Sequence, residues 1–538
     1  MKDQKKFFIS RLSNSNGLDP ATYYSYCNGV FETLSTIDAL YTSNTTLVSF
    51  DWDTLINWLR IRKETMPMKI EDLEQMAKQA SGKKKENGPG SIWTMVSPLY
   101  DESEQEDLAN ASHVYYGMNS VDEEEVEKLY HRLLIAMSDC YKALVEELRT
   151  KTELGRFIKV EKLIRIINLE RTYKGIALNT TNVADWIGLL TREVYRLRNR
   201  LQLDYRIISL TDRQTILRRI EEHAKITDLD SIIREKGYYY FLKDSSARHE
   251  LIKLLYLEKR ATGDLNALLS IGALNPNRKN IHPSYDSFGT ITARTMVSSP
   301  NLQNMSRKYR SIVAAHEGKR LIYVDYAQFE AGILANDAND PQLISEYNAS
   351  DIYTEIGNRI EISKFLTDQE SQRKFCKSLF YKYSYGMDIK KHSNVLKDFN
   401  LYACRNELSP LIIQAFSKYG QLEQYRNNIN DQLLIEGAIG THNGNFRYKL
   451  DNENDISWAL SQRIQGTASL ILKKAIINLR SNHPSIEFLL PMHDAALFEV
   501  PEEEYVQSIS VIKEVFINEF KLECPKIIAA ANIKDFAE

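Results

Sequence analysis

Three groups of side chains in this 538-residue chain have types and spacing that suit chemistry. The run Leu321 to Val324 is apolar and β-rich and stops on a carboxylate, Asp325, after which Phe329, Ile333 and Leu334 take helical spacing. Asp325 therefore sits where a strand gives way to a helix, held by rigid backbone at an open edge. Mg²⁺ takes oxygen ligands, commonly one or two protein carboxylates plus phosphate, so such a residue suits it. A second carboxylate, in His493-Asp494, falls at the turn of a strand–turn–strand pattern running from Ile486 to Val500. The third group, Arg373, Lys377, Tyr381 and Tyr385, recurs every fourth residue and makes one slowly drifting stripe on a helix. Its cations suit a triphosphate and its rings suit a base and sugar. Two strand-borne carboxylates and a cationic helix fit a two-metal phosphoryl-transfer site. Each group also has a plain reading. A strand-end Asp is commonly a cap, and an aromatic stripe is commonly core, although one that mixes Arg, Lys and Tyr makes poor core.

The elements that must position these groups come from a chain of ordinary composition. It is 43% hydrophobic and 26% charged, which reads as soluble and globular, with room for several domains of ~150 residues each. Met1 to Lys6 is polar, without a signal-peptide core, and no apolar run approaches the ~20 residues of a membrane span, so a cytoplasmic protein is expected. The five cysteines (Cys27, Cys140, Cys376, Cys404, Cys524) form no CxxC pair, which argues against a zinc site and for a reducing compartment. The net charge of −3 excludes a global basic field, so contact with nucleic acid must come from local patches.

Along the chain, the run from Thr46 to Asp53 reads as a strand ending on paired aspartates, either nuclease metal ligands or an ordinary strand end. Ser81 to Gly90 reads as a flexible basic loop, and the acidic runs 101–107 and 122–127 read as solvated faces. From Gly155 to about Leu269 the chain is helical and more basic. Ile187, Leu190, Val194, Leu197 and Leu201 make a packing seam, and Arg192, Arg196, Arg198 and Arg200 are either solvated surface or a phosphate-tracking face. Lys174-Gly175 ends the preceding helix with a basic last turn and a C-terminal glycine. Ile281 to Ser306 is loop-like and holds Thr292-Ala-Arg294 and Pro300-Asn-Leu-Gln-Asn304, whose amides Asn301 and Gln303 suit groove edges or phosphate. Gln465-Gly-Thr467 opens another helix.

In this order the stretches resemble the family A DNA polymerases. Val324-Asp-Tyr-Ala-Gln-Phe-Glu330 resembles motif A, DYSQIE. Arg373, Lys377, Tyr381 and Tyr385-Gly386 resemble motif B, RxxxKxxx[FY]xxxYG, and His493-Asp494 resembles motif C, HDE. Thr292-Ala-Arg294 with Pro300 to Asn304 resembles TGRLSS…PNLQN, and Gln465-Gly-Thr-Ala468 resembles QGTAAD. The resemblance runs from about Lys159 to the C-terminus and implies an α+β right-hand fold behind a small N-terminal domain. Residues 1–154 would be that domain, 155–280 the thumb, 281–360 and 431–538 the two parts of the palm around an antiparallel sheet, and 361–430 the fingers. By resemblance, Asp325 and Asp494 hold two Mg²⁺ ions, for which Mn²⁺ can substitute. Arg373 and Lys377 grip the incoming dNTP, Tyr381 stacks at its sugar and base, and Tyr385 sits at the insertion site. Gln328 and Glu330 join that set, Glu330 crowding the 2′ position. Arg294, Asn301, Gln303, Gln465 and His493 contact primer–template DNA.

The departures from the pattern carry their own implications. Motif A has Ala327 for the usual Ser and Gly332 for the usual Arg, and motif C has Ala495 for the usual Glu, which makes the metal site leaner by one carboxylate. The related single-subunit RNA polymerases also lack that carboxylate. The N-terminal region stands where the family carries its 3′–5′ exonuclease. Its DxE motif would be Asp51-Trp-Asp53, and the tyrosine of its YxxxD motif would be Met118. A degenerate domain without proofreading is expected, with no 5′-nuclease. The expected activity is template-directed DNA synthesis. The alternatives are a catalytically dead DNA-binding protein, motivated by Ala495, and an RNA polymerase, against which Glu330 speaks. No residue designates a helicase, primase or single-strand-binding partner.

Overall fold

A computed structural model describes residues 4–11, 22–40, 44–82, 96–116, 118, 121–226, 228–272, 279–451 and 453–537. The loop expected at 81–90 lies, from residue 83 on, outside the described residues. The chain divides into two units. The first comprises Met1–Lys174, Ser284–Val297 and Gly318–Asp535; the second comprises Gly175–Pro283, Ser298–Glu317 and the last three residues.

In the first unit the N-terminal residues build a five-stranded sheet. Its centre, Gln4–Arg11, pairs antiparallel with Thr22–Cys27 and parallel with Thr45–Ser49, which pairs parallel with Ile70–Asp72. Parallel strands need cover on both faces, and the period of two supplies it. Phe7 and Ile9 join a core completed by Leu133, Met137 and Leu144 of the helix Glu123–Thr150, while Phe8 packs edge-on against Trp52 in a second core with Ile56 and Leu169. The strand expected over 46–53 stops at Ser49. Asp51 has a φ of 50°, which breaks the extended run, and Trp52, Leu55, Ile56 and Leu59 then bury one face of the helix Trp52–Arg62. Asp53 thus lies in the first turn of a helix.

The second sheet of this unit has four antiparallel strands in the order Glu487–Met492, Ala495–Pro501, Lys319–Tyr326, Ala531–Lys534. Behind it Tyr326 stacks on Phe329 and packs with Phe516 and Phe520, which fixes the helix Phe329–Ala338 against the sheet. Gly332 belongs to that contact. A Cβ there would lie 2.8 Å from the Tyr347 ring and 2.9 Å from Phe520, so the arginine usual at this place has no room. The helix Trp458–Asn482 is largely buried, polar Gln462, Arg463 and Lys473 included. Residues 361–430 are helical with short connections, and two expected boundaries fall inside helices. The helix Gly420–Glu436 passes through 430/431 and ends at Gly437, where φ is 71°, and 154/155 lies within Leu154–Arg156. Gly155 stands at the second boundary but is taken into the helix, and Asn430 and Asp431 at the first lie on a helix surface, so neither pair acts as a break.

The second unit is built on the helices Thr180–Tyr205 and Glu250–Gly272, the first contributing buried Leu190, Val194, Leu197 and Leu201. Arg196, Arg198 and Arg200 are paired with Glu193, Glu258 and Asp204 respectively, whereas Arg192 is exposed. The stretch 281–306 is mostly irregular, with the short strands Ser284–Asp286 and Met296–Ser298.

Candidate active site

Asp325 and Asp494 are brought together by the sheet. Asp325 is the penultimate residue of Lys319–Tyr326, and Asp494 lies in the two-residue turn between the neighbouring strands Glu487–Met492 and Ala495–Pro501. The backbone N–H of Tyr326 donates to the carbonyl of Asp494 at 3.2 Å, locking the strand end to the turn. His493 takes a φ of 53°, the left-handed conformation that tightens the turn, and its side chain is exposed. Ala495 pairs in register with Asp325, is fully buried and adds no ligand. Among the described residues no group of three or more His, Cys, Asp or Glu is arranged to hold a metal ion.

The electrostatics follow from this placement. Burial, together with Glu330 and Asp325 nearby, raises the carboxyl of Asp494 to about 6, against the opposing pull of Arg294 and Lys377. A buried carboxylate with others beside it attracts a divalent cation, and two carboxylates plus phosphate and water make an acceptable Mg²⁺ shell. Asp325 carries an ion pair that the sequence did not announce, to Lys534 on the adjacent edge strand.

The helix Gln369–Ser384 is capped by Asp368 and buries Phe375, Cys376, Leu379, Phe380 and Tyr383. This leaves Arg373, Lys377 and Tyr381 on its other side, with Tyr385 at its C-terminal cap. Arg373 is bidentate to Asp351, at 2.7 and 3.1 Å, and lies over the ring of Tyr353; Lys377 lies near the rings of both Tyr353 and Tyr381. Tyr353 donates to the Tyr381 hydroxyl at 3.2 Å, and the rings of Tyr381 and Tyr385 are nearly parallel, 10° apart. The stripe is therefore a cation–ring ladder. Asp351 supports it while also capping the helix Ile352–Arg359.

Glu330, in the first turn of its helix, is held at both oxygens. Arg294 donates to one at 2.8 Å and the Tyr385 hydroxyl to the other at 2.7 Å. Arg294 also reaches Gln465 at 3.5 Å, so two residues expected at DNA are tied to the cluster around Glu330. Gln328 accepts from the Ile352 N–H and donates to the Ser350 carbonyl, which latches the loop that carries Asp351. Asn301 and Gln303 lie in the second unit; Asn301 is exposed and accepts from the Asn304 N–H, and Gln303 is buried.

Sequence reasoning missed Lys534, Asp351 and Tyr353. Asp351-Ile-Tyr353 had the cap-before-helix pattern that could have drawn attention to Asp351, whereas Lys534 reaches Asp325 only through strand pairing. Asp53 meets a further missed residue, Arg165. Its guanidinium bonds Asp53 at 2.7 Å, Asp72 at 2.8 Å and the Tyr285 carbonyl at 2.9 Å.

Residues 240–537 match the family described as DNA polymerase family A. The chain is 27% identical over 311 residues to DNA polymerase I of Caldicellulosiruptor bescii, covering 53% of this chain and 36% of that one. It is 24% identical over 417 residues to DNA polymerase I of Bacillus caldotenax, covering 71% of this chain and 46% of the relative. The chain therefore spans roughly a third to a half of the length of these curated relatives. Its fold matches the polymerase domain of Pol1 from M. smegmatis, solved with DNA primer–template and dNTP, with a TM-score of 0.76 over 99% of this chain and 95% of that one at 18% identity. The architecture is the α+β right-hand polymerase fold. The chain belongs to DNA polymerase family A. Among the described residues no helix is long and apolar enough to cross a membrane.

Proposed function

We propose that this chain is a template-directed DNA polymerase that extends a primer 3′ end with dNTPs by two-metal phosphoryl transfer, and that it lacks proofreading. The observation that carries the reading is the backbone lock between the Asp325 strand end and the Asp494 turn, in the same site as the Arg373–Tyr385 ladder. Asp325 and Asp494 would hold Mg²⁺, or Mn²⁺ in its place, and bound ions of this kind neutralise the attacking and leaving oxygens of an in-line displacement. Arg373 would exchange Asp351 for the triphosphate, a trade between two charge-assisted partners. Lys377 would add a second cation, and Tyr381 and Tyr385 flat surfaces for sugar and base. Glu330, immobilised by Arg294 and Tyr385, would fill the space a 2′-hydroxyl needs. His493, exposed on its turn, would meet the primer end.

In the same reading the second unit is the thumb, the four-stranded sheet with its helices is the palm, and the helices between Glu361 and Gly437 are the fingers. The absence of proofreading is supported by Arg165. Its guanidinium takes up Asp53, one of the two carboxylates of the DxE-like pair, and ties it to Asp72, the cap of the next helix.

The experiment is primer extension with Mg²⁺ and dNTPs or rNTPs, alongside a DNA-binding measurement, for the unaltered chain, Asp325→Asn and Asp494→Asn. Extension with dNTPs is expected, with a loss of at least about a hundredfold in either variant and DNA binding retained. More than a tenth of the activity in either variant would sink the assignment. A second reading, a DNA-binding protein without synthesis, is favoured by Ala495 and requires binding with no extension under any metal.

A further inference from the structure

The ion pair between Lys534 and Asp325 bears on how the site acquires its metal, and its interest rests on the two-metal reading above. Lys534 lies on the edge strand opposite Tyr323, and Asp325 lies opposite Asn532. Residues two apart on a strand share a face, so Lys534 and Asp325 are diagonal neighbours on one surface of the sheet. The backbone that carries the ammonium is therefore fixed. The Lys534 side chain is 47% exposed, so its four-carbon stem can swing away without disturbing a core.

A count of charges shows what the pair does. Three carboxylates border the site: Asp325, Asp494 and Glu330. Glu330 is bonded to Arg294 and Tyr385, and Asp325 to Lys534. Ala495 contributes none. Asp494 alone has no cation bonded to it among the described residues, although Arg294 and Lys377 act on it from further off. A bare divalent ion entering this site has to displace an ammonium and finds only one other carboxylate. An ion that arrives on a triphosphate brings its own oxygens to complete an octahedral shell, and the displaced ammonium finds phosphate beside it.

We infer that Lys534 is the resident counter-ion of Asp325, keeping that carboxylate from binding divalent metal until the metal comes with a nucleotide. The order of loading is then built into the sheet: nucleotide and metal enter together, and free metal binds weakly. Lys534 is a positioning residue in this scheme, acting through Asp325.

The test uses the full chain without DNA and follows Mn²⁺ binding through the electron paramagnetic resonance signal of the free ion. Lys534→Met keeps the length of the side chain and removes the charge. The variant is expected to bind Mn²⁺ at least about fivefold more tightly than the unaltered protein, the order of one partly exposed ion pair. With saturating dNTP present the two proteins are expected to converge. In an Asp325→Asn background, Lys534→Met is expected to change nothing. Equal affinity of Lys534→Met and the unaltered chain overturns the inference. So does a gain that persists with Asp325→Asn, since that would be a general effect of charge. If Asp325→Asn and Asp494→Asn leave Mn²⁺ binding untouched, the metal-site reading itself fails, an outcome distinct from failure of Lys534 alone.

Discussion

Ala495 stands directly across the strand pair from Asp325, so its methyl group faces the side of the sheet that carries the aspartate. A glutamate in that register would point its carboxylate at the same place. Ala495→Glu is expected to lower the Mg²⁺ concentration for half-maximal extension by about fivefold, since one added charge at ~4 Å is worth ~1 kcal/mol even in water. Extension rate against Mg²⁺ and Mn²⁺ for both proteins measures it. An inert natural chain that synthesises only after Ala495→Glu would establish the DNA-binding reading instead.

Arg165 is 5% exposed and Asp72 2%, so their pair is a buried one. Removing one member leaves the other charge bare, at a cost of about 3–5 kcal/mol. Arg165→Ala is expected to unfold at a clearly lower urea concentration, read from the fluorescence of buried Trp52. A 3′-labelled single strand incubated with the unaltered chain and Mg²⁺ or Mn²⁺ is expected to remain intact. Shortening of the label that disappears in Asp51→Ala/Asp53→Ala would reverse this view of the N-terminal sheet.

Glu330 has both oxygens tied, which makes it a stiff obstacle and not a mobile one. Glu330→Ala is expected to raise the incorporation of rNTPs relative to dNTPs by at least about tenfold, or ~1.4 kcal/mol. Tyr385→Phe, which removes one tether, should raise it less. Unchanged selectivity in both, by single-nucleotide incorporation, would remove Glu330 from sugar selection.

Glu74 gives a pH signature to the N-terminal region. Burial, then the adjacent charge of Asp72, raises its carboxyl to about 7. A raised carboxyl means that the folded chain holds a proton the unfolded chain releases, so this group's contribution to stability falls as pH rises from about 4.5 to about 7. Glutamine imitates the protonated form. Glu74→Gln is expected to raise the melting temperature at pH 8, where about 1 kcal/mol or more is at stake, and to leave it unchanged at pH 4. Equal effects at the two pH values would contradict the shift.

The parts of the site legible in the sequence are those whose spacing is local. Asp325 at a strand end, Asp494 on a hairpin turn and the four-residue rhythm of Arg373 to Tyr381 each follow from chain periodicity alone. Lys534, Asp351 and Arg165 meet Asp325, Arg373 and Asp53 across 209, 22 and 112 residues, through pairings that no window of sequence contains. Asp51 misled the strand assignment because its left-handed backbone leaves no mark in a run of β-formers. The roles of Gln328 and Arg294 within the protein were hidden for a similar reason. Motif resemblance points such residues at substrate, whereas their hydrogen bonds here go to neighbouring chain segments.

The attachment of the N-terminal sheet to the rest of its unit has a practical consequence for anyone wishing to trim this chain. Gln75 donates to the Glu161 carbonyl and Gln79 to Glu153, Asp72 accepts from Arg165, and Leu169 lies in one core with Trp52 and Ile56. Glu161 in turn holds Lys473 on the helix that carries Gln465. A shortened version beginning near residue 150 would present a bare guanidinium, two orphaned acceptors and a greasy face where the sheet had been. Such a fragment should be sticky and poorly recoverable from expression, because the N-terminal sheet is the footing on which the helix Trp458–Asn482 stands.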